Sequence, residues 1–297
     1  MDDRRDRAVQ ELGLADDDPL AVVGICRRVR TLCMQGDYDI ARERVTKAAA
    51  AATSRGDDPA TMAELRWTQA VFARHDNDLD QGVAWLEEAL RLFGDLGDER
   101  GRARCHKKLG ELLRIRGRLN EAAGHYATAL AAFERQDDPY EIAWSLMGLG
   151  STQRQMGNLE GAERWSRRGL ASFERMGGRL GIGHAHNELG EIARFRGDHD
   201  GAIAHYEEVL VAWGGEAHRD LDLVRYNLGL VHLGRGDVAE AQATLLSLER
   251  RASERGRKAL LLFVTTGLCA AAAAAGDFAT CESRAEVLGP MLEALPL

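Results

Sequence analysis

The sequence predicts an all-α protein, an α-solenoid of about seven helix-turn-helix repeats, and three observations carry that reading. A glycine, or a turn-former in its place, recurs at Gly36, Asn77, Gly117, Gly157, Gly197, Gly236 and Gly276, in steps of 41, 40, 40, 40, 39 and 40 residues. Upstream of each mark lies a helical stretch rich in small residues, as in KKLGELLRIRG and HNELGEIARFRG. Downstream comes a polar turn and an amphipathic helix, as in RLNEAAGHYATALAAF and DHDGAIAHYEEVLVAW. A fixed period of about 20 to 50 residues marks a repeat architecture, in which each unit buries its apolar face only against its neighbours.

The third unit shows why each repeat folds as a hairpin. Leu109, Leu112 and Leu113, with Cys105 and Gly110, fall on one side of its first helix. Gly117 ends that helix, because glycine accepts the left-handed conformation that a helix terminus often needs. Asn120 and Glu121 open the second helix, whose apolar side is Ala122, Tyr126, Ala129, Leu130 and Phe133. Gly110 and Ala122 let the two backbones approach, and the same small pair recurs as Gly150/Ala162, Gly190/Ala202 and Gly229/Ala241. Asp-Asp-Pro at 57–59 and 137–139, and Asp18-Pro19 before the first repeat, supply N-cap and first-turn chemistry. The glycine run GGRLGIG at 177–183 is a turn, since no strand precedes it and no Gly-Lys-Ser/Thr follows.

Taken in this register, residues 20–297 form one elongated domain of seven repeats, preceded by a polar segment at 1–19 that has room for a short helix. Net charge is −8 with a pI near 5.7, which argues against non-specific nucleic-acid binding. Cys26, Cys33, Cys105, Cys269 and Cys281 include no Cys-x-x-Cys pair, and they read as reduced core residues of a cytoplasmic protein. The N-terminus has mixed charge and no apolar signal region. Ala259–Ala275 runs 17 residues without a charge, but it falls in register with the first helix of repeat seven and reads as a buried helix, not a membrane span. Catalytic motifs are lacking, and His184 and His186, two apart on a helix, point to different faces and would not chelate together. Neither an enzyme, a metal site nor a cofactor is expected.

YNLGLVHLGRGDVAEAQ at 226–242 resembles the tetratricopeptide repeat, with Asn227, Leu228, Gly229, Gly236, Asp237 and Ala241 on that family's pattern. The second unit departs from it, with Gln69-Ala70 for Leu-Gly and Asn77 for glycine, and the seventh places Cys269 at the Leu-Gly glycine. The unit of about 40 residues is longer than the usual 34 and looks like the variant of bacterial signalling ATPases, transcription activators and kinase extensions. The resemblance implies a right-handed solenoid that binds a protein or peptide in a concave groove lined by the first helices. Its rival implication is a ligand- or peptide-sensing regulatory module of a bacterial signalling system.

The candidate ligand contacts lie on those first helices. Arg74, Arg114, Arg154 and Arg194 are spaced 40, 40 and 40, three residues before each turn mark, on the side opposite Leu109 and together with Lys107 and Asn187. Such guanidiniums suit the carboxylates of an acidic peptide. The alternative is that Arg114 and Arg194 pair with Glu111 and Glu191, one turn earlier, as solvated surface pairs. Trp67, Met147, Tyr226 and Phe263 would add apolar contact. Trp85, His125, Trp165 and His205, again 40 apart, are expected to pack between adjacent repeats. The partner is thus a protein or peptide, not nucleic acid and not membrane. Val287, Leu288, Met291, Leu292, Leu295 and Leu297 near the C-terminal end suggest self-association through the last repeat, or a continuation of the chain that covers them.

Overall fold

Most junctions between helices are made by two or three residues that finish one helix and start the next. At Asp98 the backbone N–H donates to the carbonyl of Phe93 (2.9 Å), closing the preceding helix, while its carboxylate accepts from the N–H of Gly101 (2.9 Å), opening the following one. Asp198 repeats both bonds with Ala193 and Gly201. Asp138 does so with Phe133 and Glu141. These are a Schellman closure and an N-cap sharing one residue. The residue before each cap takes the left-handed conformation, with φ of 68° at Gly97 and 76° at Gly197. At the equivalent site before Asp138 the chain has Asp137, at φ 51°, among the few side chains that tolerate this region.

The computed structural model describes residues 38–73, 76, 78–214 and 220–293. The polar segment 1–19, the first helix expected for repeat one, Arg74 and Asn77 lie outside the described residues, as do Cys26, Cys33, Leu295 and Leu297. Among the described residues there are thirteen helices and no strand: α1 (Tyr38–Arg55), α2 (Pro59–Ala73), α3 (Leu79–Asp95), α4 (Glu99–Ile115), α5 (Leu119–Arg135), α6 (Pro139–Gln155), α7 (Leu159–Met176), α8 (Arg179–Arg196), α9 (His199–Trp213), α10 (Leu221–Arg235), α11 (Val238–Glu254), α12 (Lys258–Ala274) and α13 (Phe278–Glu293). The chain divides into two compact units between Met156 and Gly157. In the first, each helix from α1 to α6 packs on the next, and α4 also lies beside α6. In the second the same holds from α7 to α13, with α10 beside α12. This is an all-α helical-repeat fold. α12, the uncharged stretch, is a 17-residue helix with Leu260, Val264, Leu268 and Ala271 buried, and no helix among the described residues is long and apolar enough to cross a membrane.

Two kinds of seam hold the helices together. Inside a hairpin, a Cβ added to Gly110 on α4 would fall 2.9 Å from the ring of Tyr126 on α5, and one on Gly190 of α8 would fall 2.8 Å from Tyr206 on α9. The ring, not the small partner alanine, fills the space that the glycine leaves. Tyr126 also presses on Gly148 of α6, so it is clasped between glycines of two successive first helices. Between hairpins, Phe93 lies against Gly101 and Phe173 against Gly181, each ring under the first turn of the next helix. Phe93, Phe133, Phe173 and Tyr206 are among the largest fully buried side chains.

Two substitutions test this packing in opposite directions. Gly190→Leu drives a side chain into the Tyr206 ring and should cost about 1 to 3 kcal/mol, read as a lower urea midpoint. Asp137→Gly removes a strained side chain and should raise stability by about 1 kcal/mol. An unchanged midpoint in both would contradict the assigned seam and turn geometry.

Candidate functional site

The register that buries one side of each first helix leaves its opposite side to neighbouring first helices and solvent. On α2, α4 and α6 that side carries Glu64 and Trp67, Arg104 and Lys107, and Tyr140, Glu141 and Trp144. Trp67, Arg104, Lys107, Tyr140, Glu141 and Trp144 line a recess of about 420 Å³, a size typical of small-ligand and side-chain pockets. The Arg104 guanidinium lies 4.0 Å over the Trp67 ring and donates two bonds to Glu64, at 2.7 and 3.2 Å. Lys107 pairs with Glu141 across to α6. Tyr140 and Trp144 meet edge to face at 6.2 Å. The recess therefore holds aromatic faces and two ion pairs, with its cations and carboxylates in balance. The Trp67 Nε1–H, although buried, has no acceptor within hydrogen-bonding distance among the described residues.

The expected site residues separate into groups. Trp67 and Lys107 meet in this recess. Arg114 and Arg154 lie in the last turns of α4 and α6 and do not line it. The Arg114 Nε is buried without an acceptor among the described residues, while Glu111 takes Lys108 (2.8 Å). Arg194, in the second unit, donates to Glu191 (2.7 Å), whose other oxygen accepts from the Tyr206 hydroxyl (2.6 Å) and the Asn227 amide (2.7 Å). That arginine also stacks 4.8 Å from the Phe195 ring. Asn187 is half-buried on α8. Tyr226 packs near Phe263 (6.1 Å), which is 55% exposed. Met147 does not meet the expectation of a surface contact: it is 6% exposed and belongs to the core, because α6 turns that position inward. Sequence reasoning missed Arg104, Tyr140, Glu141 and Trp144. The signal for two of them was present, since Glu64, Arg104, Trp144 and His184 repeat at 40 residues, one turn before Trp67, Lys107, Met147 and Asn187. The same ladder runs on to Leu223 and Phe263 in the second unit, both 55% exposed.

The second-helix histidines also differ from expectation, because they pack within a repeat. His125 Nδ1 lies 2.9 Å from His106 Nδ1 across α4 and α5, and His205 Nδ1 lies 3.1 Å from His186 Nδ1 across α8 and α9. At either distance a hydrogen bond forms when one Nδ1 carries the proton and the other accepts it. Burial, reinforced by the neighbouring imidazole, pushes His106 and His205 below the ordinary histidine value. Burial likewise lowers His125, against Glu121 and Glu87, and His186, against Glu208 and Glu174. Among the described residues no group of three or more His, Cys, Asp or Glu side chains could hold a metal ion. In the second unit, the buried carboxylate of Asp222 gathers Arg225, Arg251, Arg255 and Arg257, joining α10 to α11 and to the turn before α12.

The fold and this first-helix recess define a helical-repeat protein with a recess suited to small groups. The tetratricopeptide repeat model matches residues 61–135, 106–175 and 181–254, and a second tetratricopeptide repeat model matches 262–286. The chain belongs to the tetratricopeptide repeat family. No curated protein matches it. Among solved structures it is similar to a signal transduction ATPase with a tetratricopeptide repeat sensor from Pyrococcus horikoshii, at TM-score 0.74 and 14% identity over 95% of this chain and 44% of that one. It is similar to a Rap protein complexed with competence and sporulation factor, at TM-score 0.65 and 17% identity over 90% and 73%. NprR in complex with its cognate peptide NprX gives TM-score 0.67 and 14% identity over 89% and 78%.

The imidazole pairs predict a pH dependence. Their folded values lie below the unfolded value of about 6.5, so the unfolded chain binds protons first and stability falls as pH drops through that value toward the folded ones. Urea titrations from pH 7.5 to 5 should show this loss. His125→Asn with His205→Asn should flatten it, and an equal slope in the double variant would show that the pairs are not its source.

Proposed function

We propose that the chain is a non-catalytic adaptor that binds an extended peptide segment of a partner protein on its first-helix faces. The observation that carries this reading is the recess between α2, α4 and α6, where aromatic rings and two ion pairs meet in a volume suited to one or two side chains. An apolar or aromatic anchor of the peptide would sit among Trp67, Tyr140 and Trp144. Charged groups of the peptide would exchange with the Arg104–Glu64 and Lys107–Glu141 pairs. An acidic residue beyond the anchor would reach Arg114 and Arg154; Arg74 and Arg194 continue that row in sequence.

A regulatory role, as the peptide-sensing module of a bacterial signalling system, draws support from the likeness in fold to Rap and NprR, both solved with peptide or factor bound. This likeness is one of fold. A second copy of the chain is the partner we assign to the last repeat, because α13 leaves Phe278 68% and Val287 52% exposed.

Selection of a displayed peptide library on the full chain tests the main reading. Selected peptides should share an apolar anchor, and Trp67→Ala or Trp144→Ala should weaken them by at least about 2 kcal/mol, as for a buried aromatic hot spot. Arg114→Glu with Arg154→Glu should weaken peptides with acidic flanks, and their affinity should fall with salt. Peptides insensitive to all four changes would move the site elsewhere. Light scattering that gives a monomer mass at every concentration would remove the second-copy assignment.

A further inference from the structure

We propose that Cys269 and Cys281 form a redox modification site, a dithiol that closes to a disulfide by exchange with a small-molecule disulfide. Cys269 lies on α12 and Cys281 on α13, the two helices of the last hairpin. Their sulfurs are 2.8 Å apart, less than 1 Å beyond the length of about 2.05 Å of the bond itself. The Cys269 thiol also donates to the Cys281 carbonyl, at 3.3 Å. This proximity follows from the repeat register. Cys269 stands where the other repeats have Gly110, Gly190 and Gly229, and Cys281 where they have Ala122, Ala202 and Ala241. Those are the small-residue positions at which two helices of a hairpin come close, and only the last repeat fills both with cysteine.

Both thiols are half-buried, so a small reagent can reach them. Cys105 has no such access: it is fully buried, and burial pushes its thiol up to about 12. The Cys281 thiol is held above its ordinary value first by its hydrogen bond with Cys269, so exchange should quicken as pH rises. In the reaction one cysteine thiolate attacks a sulfur of the small disulfide and expels one small thiolate, leaving a mixed disulfide. The second cysteine thiolate attacks the protein sulfur of that mixed disulfide and expels the other. The protein dithiol loses two electrons, the small disulfide gains them, and the two cysteine protons end on the two released thiols.

The consequence falls on α13. None of its described side chains is fully buried, and Pro290 lies within it. Apart from the cysteines, Arg284 ties it to Glu249 on α11, at 2.8 Å. Little apolar burial holds this helix, so a covalent link to α12 would change how often it detaches. In the cytosol such disulfides are generally transient and redox-sensing.

The test incubates the full chain with oxidised glutathione, or with dithiothreitol, and reads intact mass, alkylation and hydrogen exchange. The wild type should lose the mass of two hydrogens, with peptide mapping joining Cys269 to Cys281. Cys269→Ser and Cys281→Ser should instead stop at the glutathione adduct. Exchange across 278–293 should slow on oxidation of the wild type by up to about 100-fold, the limit set by closing so short a loop, and should be unchanged in either variant. Alkylation of both cysteines after oxidation, a link to another cysteine, or a stable double adduct would overturn the proposal.

Discussion

The structure depends on how closely two helix backbones can approach, and that is set by where a Cβ is absent. At Gly110, Gly148 and Gly190 the missing carbon makes room for a tyrosine ring, so the hairpin closes over an aromatic plate. A ring of that size buries far more apolar area than the methyl groups that would otherwise meet there. Because Tyr126 touches first helices on both sides, one residue sets the spacing within a repeat and the spacing to the next. The facing surfaces of α4 and α6, and hence Lys107 and Glu141, come into reach as a result.

The junctions make that spacing repeatable. A single aspartate ends one helix with its backbone and begins the next with its side chain, as at Asp98, Asp138 and Asp198. With so few residues between helices, the chain has little freedom to vary the angle at which the next one leaves. Local hydrogen bonding therefore governs a feature that would otherwise need long-range contacts. Polar seams add to it where the core thins: the His106–His125 and His186–His205 pairs bridge the helices of one hairpin, and Asp222 gathers arginines from three consecutive segments.

The first-helix face shows how a stacking scaffold can carry varied side chains. Backbone and core requirements use one side of α2, α4 and α6, which leaves the other free to carry tryptophan, tyrosine, arginine, lysine and glutamate without cost to packing. The ladder that reads Glu64, Arg104, Trp144 in the first unit and His184, Leu223, Phe263 in the second changes from charged and aromatic to more apolar. Equivalent positions thus carry different chemistry while the scaffold beneath them stays the same. That division permits a family of common fold to hold unlike ligands.

Spacing alone was enough to determine the hairpin unit, the turn glycines and the apolar sides, because each rests on interactions between residues near in sequence. Trp67 and Lys107, 40 residues apart and both half-buried, line the same first-helix recess. Tertiary structure decided the rest. Met147 shares their phase, yet it turns inward, since burial depends on the rotation of α6 against its neighbours and not on the phase number. Arg194 takes the Glu191 pairing that the sequence offered as an alternative, but the network around it needs Tyr206 and Asn227 from two other helices. The pairing of His125 with His106 and of Cys269 with Cys281 likewise needed the distance between facing helices. A periodic sequence reports which positions are equivalent; only packed side chains report what each of them meets.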